Sequence, residues 1–559
     1  MRKYVFAVIL TSLLMTSCTP FSFGFPGPSE QMYDPGADTT KHDIPQNDIS
    51  SQTPPNTFYI KGGLPDIGEF TGKIQDRFYE EYTPYFIPSQ EYGSIVPYIG
   101  SQKEYSTSDG WGRQRYFSYG FCTPEGKIVM DAYDKIDYIS SSTTKDGFSY
   151  YYMTIRQTSL SSFLAPDKAL IIPESGAWCI EIDKGGYMSS AGNGIICVSM
   201  PQNDPENDTQ IIIYDYSGKK IAVLSGYDSV GEYSCGLMPA FKWGGENSSA
   251  YYVDINGKKA LGPYREAGSF NSAGVAAVTD MDGNRYLIDN YGNRITDDRY
   301  SNIAVIWNDI SESGYFAADV KGKFATRDIL NPNGEVIGTA QGGTYASWVF
   351  PDDGDIIYYY KNNQTGKMTW KRLSDGSEIV NSEYGVSPNQ YHNSENIFVY
   401  RNEEKNTAVL MDSKGETLAY FDDFNGLMGA SSDGRYIVYT SGKYGYEIGD
   451  TQSGAGTICL NLYDLQGKKT LFTLPGQGYA SFTGNSKYII VSRYTYIDAM
   501  DGYSTYMLYD TEKGEFVFED LLSLNVVTAG SNTYLNICTQ NACTLYDLDL
   551  NVILRNYID

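Results

Sequence analysis

Short hydrophobic runs alternate with turn residues along most of the chain, and one unit of this pattern occurs twice in succession. Residues 250–270 and 285–303 each hold an apolar run ending in aspartate, a glycine three positions later and a tyrosine beyond it. The apolar runs predict strands. The Asp-x-x-Gly segment predicts a tight turn, because Asp bonds its own turn and Gly accepts positive φ. We therefore predict a repeated β-hairpin with Gly257 and Gly292 at positive φ.

A single hairpin cannot bury its apolar face, so the copies must stack on one another. From residue 218 to residue 514, 296 residues separate the first and last turn glycines in seven intervals, which gives about 42 residues per unit, the period of a four-stranded propeller blade. The glycines are Gly218, Gly257, Gly292, Gly334, Gly376, Gly415, Gly467 and Gly514. We predict an all-β fold, a β-propeller-like array of about ten blade-like units that forms one large or two smaller propellers.

The sequence motif of the repeat differs between the two halves of the chain. Residues 92–305 resemble the WG repeat family of bacterial surface and secreted proteins, through x-x-Gly-Lys turns followed by tails such as Tyr300-Ser301-Asn302-Ile303. The Trp-Gly pairs Trp111-Gly112 and Trp243-Gly244 lie off their usual place in the unit. From about residue 395, the strand end Leu462-Tyr463-Asp464 recurs at 508–510 and 545–547 and resembles TolB-like and WD40-like β-propeller blades. These resemblances imply a WG-repeat β domain at 58–330 and propeller-like repeats at 331–559.

The amino terminus has the pattern of a secretory signal. Arg2 and Lys3 precede an apolar run that ends near Cys18, and this run is too short to span a bilayer. The segment resembles the bacterial lipobox, which implies cleavage before Cys18 and a diacylglycerol group on its sulfur. An ordinary signal peptide is the alternative. We predict a lipoprotein signal at 1–17, a disordered Pro-rich tether at 18–57, and an outward-facing, lipid-anchored protein of the bacterial cell envelope.

Charge narrows the possible partners. The net charge is −26, and removal of Arg2 and Lys3 with the signal would make it −28. Such a chain repels nucleic-acid phosphates, so we predict no nucleic-acid partner. The predicted partners are the membrane, through the lipid on Cys18, and an unidentified protein or envelope polymer. The sequence does not determine the oligomeric state.

Candidate catalytic and metal-binding groups are few. Only His42 and His392 are available as a histidine base, and no nucleophile motif surrounds either of them. We therefore predict no catalytic residue, no metal and no cofactor. Calcium in the Asp-Gly turns at 254–257, 280–284 and 352–355 is an alternative, although such turns also form simply because Asp and Gly favour hairpins.

Cysteines and tryptophans leave further alternatives open. After Cys18, seven cysteines remain at irregular spacing, which does not indicate a disulfide framework. We expect most to be small buried hydrophobes, and a disulfide between Cys538 and Cys543 across a hairpin is one possibility. The tryptophans either pack between blades or form a recognition surface. They are Trp111, Trp178, Trp243, Trp307, Trp348 and Trp370.

Two functions fit this sequence. The first is a non-enzymatic, surface-anchored binding or scaffold lipoprotein that recognises a protein or an envelope polymer through its β-repeat surface. The second is an envelope hydrolase or lyase, acting on a glycan or peptide in a propeller channel. Because propellers of both kinds exist, the fold does not choose between them. Carboxylates converging in the channel would favour the enzyme.

Overall fold

A computed structural model describes the chain from Phe86 to Ile558 with gaps. The described ranges are 86–106, 113–133, 136–155, 166–200, 209–244, 248–307, 312–341, 347–351, 354–361, 368–392, 396–442, 458–476, 478–496 and 502–558. All of these residues belong to the compact unit Ile60–Asp559. The predicted signal segment, Cys18 and the predicted tether lie outside the described residues.

The described residues form eleven antiparallel sheets, which follow one another along the chain as blades 1 to 11. Within each blade, neighbouring strands are consecutive in sequence, so every blade is a simple meander. Apart from one turn of 3₁₀ helix at Gln90–Tyr92, the described elements are all strands. This confirms the predicted all-β class.

The first six blades have these strands. Blade 1 contains β1 (Val96–Ser106), β2 (Arg113–Cys122) and β3 (Ile128–Tyr133); blade 2 contains β4 (Ile136–Thr143), β5 (Ser149–Ile155), β6 (Lys168–Pro173) and β7 (Ile180–Asp183). Blade 3 contains β8 (Tyr187–Gly192), β9 (Ile195–Met200), β10 (Gln210–Asp215) and β11 (Lys220–Leu224); blade 4 contains β12 (Ser229–Val230), β13 (Met238–Lys242), β14 (Ser249–Val253) and β15 (Lys259–Tyr264). Blade 5 contains β16 (Glu266–Ala267), β17 (Val275–Thr279) and β18 (Arg285–Asp289); blade 6 contains β19 (Tyr300–Trp307), β20 (Glu312–Val320), β21 (Thr326–Leu330) and β22 (Val336–Gln341).

The remaining five blades complete the array. Blade 7 contains β23 (Trp348–Val349), β24 (Ile357–Lys361) and β25 (Met368–Arg372); blade 8 contains β26 (Gln390–His392), β27 (Ile397–Asn402), β28 (Thr407–Met411) and β29 (Thr417–Phe421). Blade 9 contains β30 (Gly426–Ala430), β31 (Tyr436–Ser441), β32 (Cys459–Asp464) and β33 (Lys469–Pro475); blade 10 contains β34 (Gly478–Phe482), β35 (Tyr488–Tyr496), β36 (Gly502–Asp510) and β37 (Glu515–Leu521). Blade 11 contains β38 (Ser523–Ala529), β39 (Asn532–Cys538), β40 (Ala542–Asp547) and β41 (Val552–Tyr557).

Apolar side chains between neighbouring blades form the core. Every consecutive pair of blades shares a buried cluster, as Val438 of blade 9 and Val491 of blade 10 illustrate. Blade 11 closes the series, because its Leu545 and Leu554 pack with Val96 of blade 1. The blades therefore form one ring, an eleven-bladed β-propeller in place of the predicted ten or so units.

The first strand of each complete blade lies on the inside of the ring. First strands of neighbouring blades contact each other, as β8 contacts β12 and β30 contacts β34. At blade 1, which begins with β1 among the described residues, β38 of blade 11 contacts β4 of blade 2 directly. There Ser141 Oγ and Thr528 Oγ1 lie 3.2 Å apart. Blades 11 and 2 thus contact each other at the place that an inner strand of blade 1 would occupy.

Blade 5 departs from the predicted repeat. The hairpin at 250–270 is present as β14 and β15, but its near-copy at 285–303 keeps only one bridge, between Ile288 and Arg294, in place of an outer strand. In this turn the Thr296 hydroxyl, and not the backbone carbonyl of an outer strand, accepts the Leu287 N–H at 2.9 Å. The strand end Leu-Tyr-Asp behaves as predicted and closes β32, β36 and β40.

Two buried asparagines close the ring. On the edge of β1 that faces away from β2, the Ile99 N–H donates to Asn536 Oδ1 at 3.1 Å, and Asn536 Nδ2 donates to the Pro97 carbonyl at 3.1 Å. Asn556 Nδ2 donates to the Ile99 carbonyl at 3.3 Å. These bonds satisfy a strand edge that would otherwise carry unpaired buried backbone groups.

A glycine turn fastens each of several blades to the one before it. Gly257 and Gly292 have φ of 80° and 86°, as predicted. A Cβ on Gly257 would lie 2.5 Å from Leu224 Cδ2 of the preceding blade. Where blade 1 meets blade 11, a Cβ on Gly126 would likewise collide with the Ile553 carbonyl of blade 11. Glycine is required here both for its conformation and for close approach.

Asn536→Ala is expected to lower the free energy of unfolding by about 2 to 4 kcal/mol, because it leaves a buried N–H and a buried C=O unpaired. Asn525→Ala is the matched control, since Asn525 is exposed on the neighbouring strand and bonds only Ser523 in its own strand among the described contacts. That control should stay within about 0.5 kcal/mol of wild type. Urea unfolding measures both, and equal effects of the two variants would contradict the closure role of Asn536.

Gly257→Val is expected to destabilise the protein more than Gly283→Val. Gly283 has φ of 87° in the same type of turn, but nothing lies within 4 Å of an added Cβ. Gly283→Val therefore reports backbone strain alone, about 1 to 3 kcal/mol, whereas Gly257→Val adds about 1 to 3 kcal/mol of overpacking against Leu224. Asn should be milder than Val at both positions. Thermal unfolding measures the stability of both variants, and a smaller loss for Gly257→Val than for Gly283→Val would argue against the blade-to-blade contact.

Candidate functional site

The carboxylates of the Asp-Gly turns are engaged within their own turns. In Asp254, Asp280 and Asp289, Oδ1 accepts the backbone N–H groups of the residues two and four positions later, at 2.8 to 3.0 Å. Asn331 makes the same two bonds with its amide oxygen, at 3.0 and 2.9 Å. Because a neutral side chain makes the same two bonds, these hydrogen bonds are sufficient to explain the residue choice.

Within the described ranges, no group of three His, Cys, Asp or Glu side chains converges as metal ligands would. Two of the three turns named as calcium alternatives are described, and both have the geometry above. The third includes Asp352 and Asp353, which lie outside the described residues. Calcium binding therefore has no further support from the turns that are described.

The cysteines divide by burial. Burial, followed by the nearby Glu125, raises the pKa of Cys122 to about 12, and burial raises that of Cys197 to about 11. Both are therefore neutral thiols at physiological pH. Cys538 and Cys543 face each other on β39 and β40 and form a disulfide, and Cys235 is an exposed thiol.

The tryptophans fall into buried and exposed classes. Trp370 is buried between blades 7 and 8, against Tyr391 and Phe398. Trp178 is half-buried and donates its indole N–H to the Tyr216 carbonyl at 3.0 Å. Trp243 is 57% exposed and stacks on Phe241 with ring centroids 5.6 Å apart. Trp111 and the side chain of Trp307 lie outside the described part of the chain, so Trp243 is the described tryptophan that best fits a recognition surface.

The inner wall of the ring carries little charge. The first strands of blades 2 to 11 contain Asp137 and Glu266 as their acids and no lysine or arginine. Glu266 is paired, since it accepts from Arg285 at 2.7 Å and from Thr279 at 2.9 Å. Among these described strands we find no set of converging carboxylates. His392 ends β26, and its side chain lies outside the described residues, as does His42.

A second exposed aromatic pair lies on the outer side of the ring. Tyr384, in the segment after β25, and Tyr420, on the outer strand β29, stack with ring centroids 5.8 Å apart and planes 21° apart. They are 44% and 46% exposed. Sequence reasoning missed this pair, because its members are 36 residues apart in different blades. Single exposed aromatics are common, but two exposed rings in stacked contact form a larger apolar patch.

The sequence matches no protein-family model and no curated protein. Solved structures similar to this chain include a eukaryotic initiation factor (12% identity, 75% of this chain and 93% of that chain, TM-score 0.35) and BamB from Moraxella catarrhalis (10%, 54% and 93%, TM-score 0.29). The dihydro-heme d1 dehydrogenase NirN is another (11%, 76% and 79%, TM-score 0.28). At such identities and TM-scores, these similarities say nothing about the function of this chain.

Acid is expected to weaken the turns. The Asn293 side chain, followed by backbone N–H groups, lowers the pKa of Asp289, and the Ser217 hydroxyl does so for Asp215. A pKa that is lower in the folded state gives stability that is present above the unfolded value, near 3.9, and lost as the pH falls below it. The urea midpoint should therefore drop below about pH 4. Asp289→Asn should retain the turn, as Asn331 does, and reduce this dependence; an unchanged acid profile would contradict the account.

Proposed function

We propose that this protein is a non-enzymatic binding or scaffold lipoprotein, held on the outer side of a bacterial envelope by lipid on Cys18, that recognises an envelope polymer or protein through its propeller surface. The observation that carries the binding role is the pair of exposed stacked aromatics, Tyr384 and Tyr420, supported by Trp243 on Phe241. Rigid exposed rings offer contact area at low entropic cost. The carboxylates of the described Asp-Gly turns accept backbone N–H groups within those turns, which is consistent with a structural role for them.

The anchoring half of the proposal rests on the amino-terminal sequence. The described part of the chain holds no helix with the length and apolar character needed to cross a bilayer. The pattern from Arg2 to Cys18 and the Pro-rich segment after it support attachment through lipid. The enzymatic alternative, a hydrolase or lyase acting in the channel, remains a second hypothesis.

Cys18→Ala is expected to abolish membrane attachment, so that the protein is either unprocessed or released. Cys235→Ala, which removes an exposed cysteine of blade 4, is the matched control and should stay in the membrane fraction. Cell fractionation with immunodetection measures both. A Cys18→Ala protein that is processed normally and still firmly membrane-bound would argue against lipid anchoring.

The binding half is tested by incubating full-length protein in mild detergent with a lipid-free envelope polymer fraction. We expect the protein to co-sediment with the polymer without releasing soluble sugars or peptides. Release of fragments over time would support the enzymatic alternative, and failure to sediment would contradict polymer binding.

A further inference from the structure

The Tyr384–Tyr420 pair, which we call the rim platform, is positioned by the contact between blades 7 and 8. Gly415 of blade 8 lies so close to blade 7 that a Cβ there would collide with the Val380 carbonyl. Tyr384 follows Val380 by four residues, and Tyr420 follows Gly415 by five. The inter-blade contact therefore sets the separation of the two rings.

A buried asparagine holds the segment that carries Tyr384. Asn381 has no exposed surface, and its Oδ1 accepts the N–H groups of Glu383 and Tyr384 at 3.1 and 2.8 Å. Its Nδ2 donates to the Gly415 carbonyl and to Thr417 Oγ1, both at 2.9 Å. Every polar atom of this side chain is satisfied, so the segment is tied to blade 8 and Tyr384 is held in place before any ligand binds.

Two exposed carboxylates lie beside the rings. Glu383 Oε2 accepts from Thr417 Oγ1 at 3.1 Å, and Glu416 Oε2 accepts from Ser382 Oγ at 3.4 Å. Each carboxylate keeps further lone pairs for additional donors. Burial and the neighbouring Glu383 raise the pKa of Tyr384, so its hydroxyl stays protonated at physiological pH. The rim platform thus combines exposed aromatic surface with hydrogen-bond acceptors of the same junction between blades.

We propose that the rim platform binds an uncharged polysaccharide. This inference rests on the proposed function and names the class of polymer. Sugar rings present flat C–H faces that pack on aromatic rings, and their hydroxyl groups donate to carboxylates such as Glu383 and Glu416.

The charge and the shape of the rim platform favour an uncharged polysaccharide over a polyanion or a protein partner. A polyanion would be repelled by Glu383, Glu416 and a chain of net charge −26. A protein partner usually places an anchor side chain in a desolvated pocket. The rim platform instead offers two exposed stacked rings at the outer edge of a blade, which suits an extended polymer lying across the surface.

The experiment is native gel electrophoresis of full-length protein in nonionic detergent, through gels that contain a soluble β-glucan, xylan, glucomannan or dextran. We expect at least one neutral polysaccharide to retard wild type. Tyr384→Ala and Tyr420→Ala should each weaken that affinity by about tenfold or more, because each removes half of the stacking surface. Tyr384→Phe and Tyr420→Phe should retain most of it, since the rings remain.

Tyr291→Ala is the matched control. Tyr291 is an exposed turn residue of blade 5, and its removal should leave retardation unchanged. Unfolding midpoints close to wild type must accompany each variant, and Phe variants that bind while Ala variants do not would exclude general unfolding. Equal retardation of wild type, Tyr384→Ala and Tyr420→Ala would overturn the rim platform while leaving polymer binding intact.

Further outcomes of this experiment test the class of polymer and the contribution of the two carboxylates. If no neutral polysaccharide retards wild type, the inference is wrong, whereas sedimentation with the envelope fraction can still support the proposed function. Glu383→Gln combined with Glu416→Gln should weaken polysaccharide binding only mildly, and about 0.5 M NaCl should leave it in place because no ion pair is involved. Loss of polysaccharide binding under both conditions would contradict packing on the tyrosine rings as the main source of affinity.

Discussion

Every sheet in this protein has two apolar faces, and only neighbouring sheets can cover them. A linear stack would leave one face bare at each end, so the first and last blades must meet. They do so through Val96, Leu545 and Leu554 and through the two asparagines that bond the edge of β1. Closure thus depends on apolar burial together with complete satisfaction of one strand edge.

Close packing of neighbouring blades also explains the residue types found in the turns. Close approach of neighbouring blades excludes a side chain at Gly257 and Gly126, and the tight reversal needs an acceptor for its N–H groups. Aspartate or asparagine supplies that acceptor at the first turn position, as at Asp254 and Asn331. Part of the acidity of the chain is therefore structural, and clustered Asp and Gly in this sequence do not by themselves indicate cation binding.

The positions of charged and aromatic side chains bear on the proposed function. Described aspartates in these turns accept backbone hydrogen bonds, and the described inner strands bring few charged groups to the axis. Exposed aromatic surface is present at Trp243 and at the rim platform. The proposed recognition role rests on this surface, and the rim platform lies at a junction between blades, where two elements jointly build one surface.

Much of the architecture could be read from local patterns. Strand runs, Asp-x-x-Gly turns and a period near 42 residues predict a propeller of repeated hairpins, because turn chemistry and strand propensity act within a few residues. The positive φ of Gly257 and Gly292 follows from the same reasoning. The division at residue 330 falls in the turn between β21 and β22 of one blade, and as a change of repeat family it stays a prediction.

The number of blades, the closure and the rim platform were decided only by tertiary structure. The glycine spacing does not include blade 11, where Leu550 takes φ of 62° in the turn after Asp547, and it does not reveal that blade 5 keeps only one bridge in place of its outer strand. Asn536 meets Pro97 across 439 positions, and Tyr384 meets Tyr420 across a blade boundary. Local sequence determines which turn a segment can form, but only the packing of blades against one another determines which distant side chains come into contact.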